Sequence, residues 1–356
     1  MWTVPTLLGM TQSAFDPASR VRFIQYIPGL KDAGWDVIHR PNVPDRQWLS
    51  PLRPRFLRAA HFRAGRVMMK SNRWRDVRNA AGADAVFVNR DLAGGGLFFE
   101  KRLLKNNPRV VFDFDDAIYI GKNERAIRWM CEHAAWVTPG NPFLSEFVRQ
   151  HTDRFTIVPT VVDTERYVTW TRDGNRDRGP VRIGWSGSDR SIQSTLFQHL
   201  EMLKNLQKKL NFEFVVVTNT EPHLPVSDFR WKFYPWNEAD EYRIGSIMDV
   251  GLMPLLDQEF QRGKCGLKLL QYMAAGIPTV ASPVGVNREI TLEGKTGFLA
   301  STEKEWEEAL AQLVQSVDLR ASMGCTGRKV CEEHWSIKRW LPELNQILRK
   351  VAHVDA

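Results

Sequence analysis

No stretch of this 356-residue chain reaches the roughly 18 consecutive apolar residues that a membrane-spanning helix needs, which excludes a helical span. The first ten residues, MWTVPTLLGM, lack the basic region and cleavage site of a signal peptide and read as a first strand. Only four cysteines occur, at 131, 265, 325 and 331, with neither zinc-type spacing nor a small disulfide framework. That usage suits a reducing compartment, so the expected location is cytoplasmic, with peripheral association at the inner face of the cell membrane. His39, His133, His223 and His334 form no metal-ligand spacing, and no internal repeat is visible.

Acidic residues are scarce in one place. Between Pro51 and Arg78 stand eight arginines and Lys70 against the single acid Asp76, and this segment alone accounts for the net charge of +8. Trp48, Phe56, Phe62, Met68, Met69 and Trp74 interleave with them. Basic residues mixed with aromatic and methionine side chains suit an anionic membrane surface, each cation contributing about 1 kcal/mol near the headgroups. Nucleic acid attracts the same residues and is the less favoured partner. The plain alternative is a solvated pair of arginine-rich helices with their apolar residues turned inward.

The length allows two domains, and 43% hydrophobic with 25% charged residues is an ordinary globular composition. Apolar strand-like runs alternate with helical patterns, which indicates parallel α/β layers. Strands are expected near the start, at 35–38, 85–89, 109–114, 136–138 and 156–159, and again at 181–185, 212–217, 249–255 and 277–281. Helices fit 192–210, 267–275, 303–317, 321–335 and 337–351. A polar stretch from about 164 to 180 reads as the linker, giving an N-terminal domain 1–170, a C-terminal domain 171–336 and a last helix, 337–356, that crosses back to the first domain. In open α/β sheets ligands bind at the carboxyl ends of strands, here including Asn89-Arg90, Asp113–Asp116, Gly187–Arg190 and Gly263–Gln271.

Residues 263–280, GKCGLKLLQYMAAGIPTV, read as a loop, a short helix stopped by Gly276 and a buried strand. Lys264, Lys268 and Gln271 are spaced i, i+4 and i+7, on one helix face. Lysines at a helix N-terminus are disfavoured unless an anion compensates them, so the pattern points to phosphate. The strand and turn IGWSGS at 183–188 offers a second loop, where Gly187 admits a ligand, Ser188 can hydrogen-bond it and Arg190 can fork onto phosphate. FDFDD at 112–116 sets three carboxylates at a strand end. It reads as a phosphatase nucleophile at Asp113, a divalent-metal Asp-x-Asp, a pair that binds acceptor or sugar hydroxyls and accepts a proton, or a structural loop. Arg20 and Arg22, near the end of the first strand, are candidates for acceptor or phosphate binding.

Together IGWSGS (183–188), DVGLMPL (249–255), the run from 263 to 290 and EGKTGFL (293–299) resemble the donor domain of GT-B glycosyltransferases, in particular the large retaining family four, over about 150 residues. The first half matches more loosely through SRVR (19–22), DFDDA (113–117) and PTVVDT (159–164). The resemblance implies two Rossmann-like domains facing a cleft and a sugar donor activated by a nucleoside diphosphate, with no cofactor and no essential metal. It places the diphosphate at Lys264, Lys268 and the Gly266-Leu267 amides, with Gly187 and Ser188 on the same phosphates. It assigns the base to Asn219 or Trp236 and the ribose to Gln271. The family's Glu-x7-Glu pattern falls on Gly263 and Gln271, and its first-domain histidine is replaced by the aspartate cluster, so Asp115 or Asp116 is expected nearest the reaction. The implied activity is a metal-independent, retaining transfer to a glycan or lipid-linked acceptor in cell-surface polysaccharide or glycolipid synthesis. Alternatives are a nucleotide-sugar epimerase on the same fold and a non-catalytic membrane or nucleic-acid binder.

Overall fold

The computed structural model describes residues 4–43, 55–93, 96–170 and 179–354, without side-chain positions for residues 55–59, 62 and 190. The chain divides into two compact units, the first made of Met1–Thr160, Gly263–Cys265 and Trp340–Ala356, the second of Val161–Arg262 and Gly266–Arg339.

The first unit is built on five parallel strands, β1 (Thr6–Ser13), β2 (Asp36–Val43), β3 (Ala85–Asn89), β4 (Val110–Phe114) and β5 (Trp136–Pro139), in the order β2-β1-β3-β4-β5. β3 and β4 read AVFVN and VVFDF and are buried at every position, as befits central strands covered on both faces. Val86, Val88, Val110, Phe112, Ile127, Val137 and Leu144 lie in one continuous core. The last helix, Ile337–Ala352, buries Leu344, Ile347, Leu348, Val351 and Ala352. From Trp340 onward it counts with this unit: the Trp35 indole N–H donates to Asn345 at 2.7 Å, and Arg349 donates to the Ala33 carbonyl at 2.7 Å.

The second unit holds six parallel strands, β6 (Val181–Ser186), β7 (Phe212–Thr218), β8 (Trp231–Pro235), β9 (Val250–Met253), β10 (Thr279–Ala281) and β11 (Gly297–Leu299), in the order β11-β10-β9-β6-β7-β8. This is the dinucleotide-fold order, with the switch point between β6 and β9. Trp185, Phe214, Val250, Leu252, Leu310 and Trp306 fill one face, and Val215, Leu269, Tyr272 and Ile277 fill the other.

Several expectations shift. Residues 156–159 form no strand: Thr156 and Val158 donate to Val137 and Pro139, but the only bridge is Phe155 to Val137, and Pro159 has no N–H to continue. The second unit begins at Val161 rather than 171. Trp170 is tied into it through its backbone N–H to Ala275 at 2.6 Å and its indole to Asp249 at 2.9 Å. Residues 171–178 of the expected linker lie outside the described residues. The arginine-rich segment contains one long helix, Arg55–Asn79, in place of a helical pair. Its Arg73 is fully buried and donates to the carbonyls of Thr11, Arg40 and Leu92, so one member of the cluster is a core anchor. Residues 51–54, with Trp48, lie outside the described residues.

Candidate functional site

In the first unit the register of the sheet decides what each aspartate can do. Asp113 on β4 is in register with Asn89 on β3 and Thr138 on β5, and both side chains donate to its carboxylate, at 2.9 and 2.8 Å. Arg22 completes the shell with Nε at 3.1 Å and Nη2 at 2.6 Å. Burial alone would lower the Arg22 pKa, but the Asp113 carboxylate prevails and raises it. A carboxylate with four donors at 1% exposure is a structural anchor, not a nucleophile. Arg22 is thereby committed to Asp113, and Arg20 is buried in the same Pro17–Arg22 helix, at 7% exposure.

Asp115 and Asp116, beyond the end of β4, are gathered by Arg90. Its Nε and Nη2 donate to Asp115 Oδ1 at 3.0 and 2.8 Å, and Nη2 reaches Asp116 Oδ2 at 2.6 Å. Arg90 adopts φ of 64°, a left-handed conformation rare outside glycine, and its N–H donates to the Asp113 carbonyl at 2.7 Å. Burial raises the Asp116 pKa, with Arg90 and Lys264 opposing and Asp115 adding to the rise. The neighbouring Cys265 thiol is pushed up by burial and receives a hydrogen bond from Asn141, an inert setting. Among the described residues no group of three His, Cys, Asp or Glu side chains is placed to hold a metal ion.

Asn141 also donates to the carbonyls of Gly263 and Lys264, at 2.9 and 3.2 Å, which fixes this loop in the first unit. A Cβ on Gly263 would stand 2.7 Å from Ala117 Cβ, so a glutamate has no room there. Lys264 is not on the helix. Gly266 caps it with φ of 67°, and the first helical residue is Leu267. The shared face therefore reduces to Lys268 and Gln271.

In the second unit Gly187, Ser188, Asn219, Trp236 and Lys268 lie at or beside the carboxyl ends of β6 and β7. The Ser186 N–H donates to the Tyr272 hydroxyl at 3.0 Å, and the Gly187 N–H to the Val217 carbonyl at 3.0 Å. The Lys268 ammonium lies 4.2 Å from the Trp185 ring centroid and 2.7 Å from where a Cβ on Gly187 would stand. Lys268 is thus held over an aromatic face beside the first loop, a cation–π arrangement. Ser188 is exposed at the N-cap of the Asp189–Thr195 helix, which includes Arg190, whose side chain lies outside the described residues. Asp189 accepts from Thr218 and Thr220 at 2.5 and 2.9 Å, tying the loop after β6 to the exposed Asn219. The Trp236 N–H donates to the Thr218 carbonyl at 2.8 Å, placing it by the same strand end.

Gln271 is 6% exposed and its amide donates to Glu241 at 2.6 Å. The carboxylate missing from position 271 is therefore present as a neighbour, supplied from the loop after β8. Sequence reasoning gave Glu241 no role, and nothing local marks it. Arg90 was placed at a strand end without a role, and its position between Asn89 and the aspartates is visible only once β3 and β4 pair.

A parallel six-stranded sheet in dinucleotide-fold order, with loop amides and a lysine at its carboxyl edge, is an architecture shared by nucleotide-binding folds. Residues 182–316 match the family model described as glycosyl transferases group 1. Among solved structures, the chain is similar to a sucrose-phosphate synthase from Thermosynechococcus elongatus, with TM-score 0.69, 15% identity, and 98% of this chain and 99% of that one covered. It is also similar to Anabaena HepE in complex with UDP and glucose, with TM-score 0.68, 12% identity, and 97% and 100% covered. A glycosyltransferase from Rickettsia africae gives TM-score 0.68 at 13% identity, with 98% and 99% covered. No curated protein matches the sequence. The fold is GT-B, shared with these glycosyltransferase structures, and the group 1 match falls within the second unit.

Proposed function

We propose that the enzyme transfers a sugar from a nucleoside diphosphate donor to a hydroxyl of a glycan or lipid-linked acceptor, with retained anomeric configuration and without a metal. The observation that carries the reading is the Lys268 ammonium held beside Gly187 over Trp185, at the strand ends where the group 1 match lies. In this reading the second unit binds the donor. Lys268 and the Gly266 and Leu267 amides take the diphosphate, with Lys264 contributing from the loop just ahead in the chain. Ser188 reaches the same phosphates, and Asn219 and Trp236 flank the base. Gln271 and Glu241 together present an amide and a carboxylate to the ribose hydroxyls. Cations and oriented amides stabilise charge on a departing diphosphate, the role a metal would otherwise fill.

Asp115 and Asp116 are assigned to the acceptor hydroxyl. Their geometry is set by Arg90, whose guanidinium offsets one of the pair's two negative charges in the place a cation would take, which supports metal independence. HepE was solved with UDP and with UDP-glucose, and another similar structure is the lipopolysaccharide outer core galactosyltransferase WaaB. The first favours a uridine donor and the second a cell-surface glycan or glycolipid acceptor, which in this reading is reached at the cytoplasmic face of a membrane through the basic segment 51–78. Donor hydrolysis across UDP-, GDP- and ADP-sugars tests the assignment, with Lys268→Ala and Lys264→Ala each weakening donor binding by roughly 1.5–3 kcal/mol. Absence of release and of calorimetric binding for every donor removes the proposal.

A further inference from the structure

The Arg55–Asn79 helix and its neighbour Phe98–Asn106 sort their charges by burial. The two helices contain one acid each, and both are turned inward: Asp76 is 7% exposed and Glu100 2%. The exposed charges with described side chains are all positive, namely Arg63, Arg66, Lys70, Arg75 and Arg78 on the first helix and Lys101, Arg102 and Lys105 on the second. The helices pack side by side. Along the first, positions 63, 67, 70, 74 and 78 recur at steps of three and four, so Arg63, Val67, Lys70, Trp74 and Arg78 form one stripe.

That stripe is not purely ionic. Val67 is 69% exposed, Trp74 39%, and Phe98 of the neighbouring helix 61%. Trp74 and Phe98 stack at 5.7 Å between centroids and 10° between planes, and the Arg102 guanidinium lies 5.9 Å from the Trp74 ring. An aromatic pair left outside the core and ringed by long cationic side chains matches the headgroup zone of a bilayer, where amphipathic rings and snorkelling cations both find partners. The ring faces are engaged with each other and with Arg102, which leaves little face for stacking nucleobases. Beside it, Lys101 with Arg125 and Arg128 lines a cavity of about 310 Å³ that Glu132 shares, a setting with excess positive charge for a lipid phosphate.

We propose that this two-helix face docks on an anionic lipid bilayer, with Trp74 and Phe98 at headgroup depth and the surrounding lysines and arginines on lipid phosphates. It deepens the membrane-side acceptor reading above by extending the contact beyond residues 51–78 to Phe98, Lys101 and Arg102. The test is sedimentation of the full chain with phosphatidylcholine vesicles, with and without phosphatidylglycerol, across a salt series. Binding is expected only with phosphatidylglycerol. Arg63→Ser, Lys70→Ser and Arg78→Ser together should lower vesicle affinity roughly 100-fold, about fivefold per cation. Trp74→Ser with Phe98→Ser should remove the part of binding that survives high salt. Equal binding to both vesicle types, binding to neither, or a triple variant that binds like the parent overturns the proposal. Binding to single-stranded RNA alone, lost in the triple variant, overturns it and reassigns the face. Thermal shift with the donor panel runs in parallel. A parent that binds vesicles but no donor keeps the docking face and removes the donor assignment, and unchanged donor shifts in the variants show that they fold.

Discussion

Removing Arg90 should reveal how much of the aspartate cluster depends on one guanidinium. Arg90 serves Asp115 at 2.8 Å and Asp116 at 2.6 Å, with side-chain exposures of 23%, 11% and 23%. Deleting one partner of a buried pair costs about 3–5 kcal/mol, because the remaining charge stays desolvated. Since these groups retain some solvent, the lower end applies, and Arg90→Ala should lose about 3 kcal/mol at pH 8. The loss should depend on pH. Burial already holds the Asp116 pKa above the usual carboxylate range, and Arg90 is the strongest influence pulling it down. Without Arg90 it rises further. A raised folded-state pKa contributes stability that is present at low pH and is lost as pH climbs through it. The variant should therefore approach the parent near pH 4.5, within about 1 kcal/mol. The backbone supplies a second check, since φ of 64° strains alanine and not glycine, so Arg90→Gly should be about 1 kcal/mol milder than Arg90→Ala. Urea unfolding at the two pH values measures both effects. A penalty equal at pH 8 and pH 4.5, or a glycine variant worse than alanine, would refute the account.

Two further outcomes follow from buried carboxylates. Burial raises the Glu100 pKa to about 7 from an ordinary 4.5, so the folded state holds the extra proton between those values and stability falls as pH rises through that window. The difference curve between parent and Glu100→Gln should change by about 3 kcal/mol from pH 4.5 to pH 8, favouring the variant at high pH. His39 and His199, both held near 4 by burial, cancel in that difference, and a flat curve would remove the claim. Gln271→Glu sets a second carboxylate 2.6 Å from Glu241, so the pair should retain a proton. The expected loss is about 1–3 kcal/mol at pH 8, recovering towards pH 5, and a variant equally stable at both pH values contradicts it.

The strands that the sequence revealed are those whose side chains are buried on both faces, such as β3, β4 and β7. β8 mixes half-buried and exposed positions without alternating, and β11 has three residues, so neither carries a readable pattern. The helix after Gly266 was legible from its glycines down to its first residue, Leu267, but the exclusion of Lys264 from its face was not. The left-handed turn at Gly266 detaches Lys264 from the helix, and spacing alone cannot show a change of backbone sign. Arg22 and Asp113 are 91 positions apart, and only pairing of β4 with β3 and β5 shows that the carboxylate is saturated. Composition likewise could not tell that Arg73 is a core residue while its neighbours face solvent.

The closing helix has a consequence for synthesis. Residues from Trp340 onward count with a unit whose main body ends at Thr160, so a piece of that unit is translated about 180 residues late. At ~5–20 residues per second the delay is roughly 10–40 s. During it the partners of Asn345 and Arg349, at Trp35 and Ala33, stay uncovered on the nascent chain. A ribosome-bound fragment stopped before residue 340 would therefore present a greasy seam that chaperones can grip.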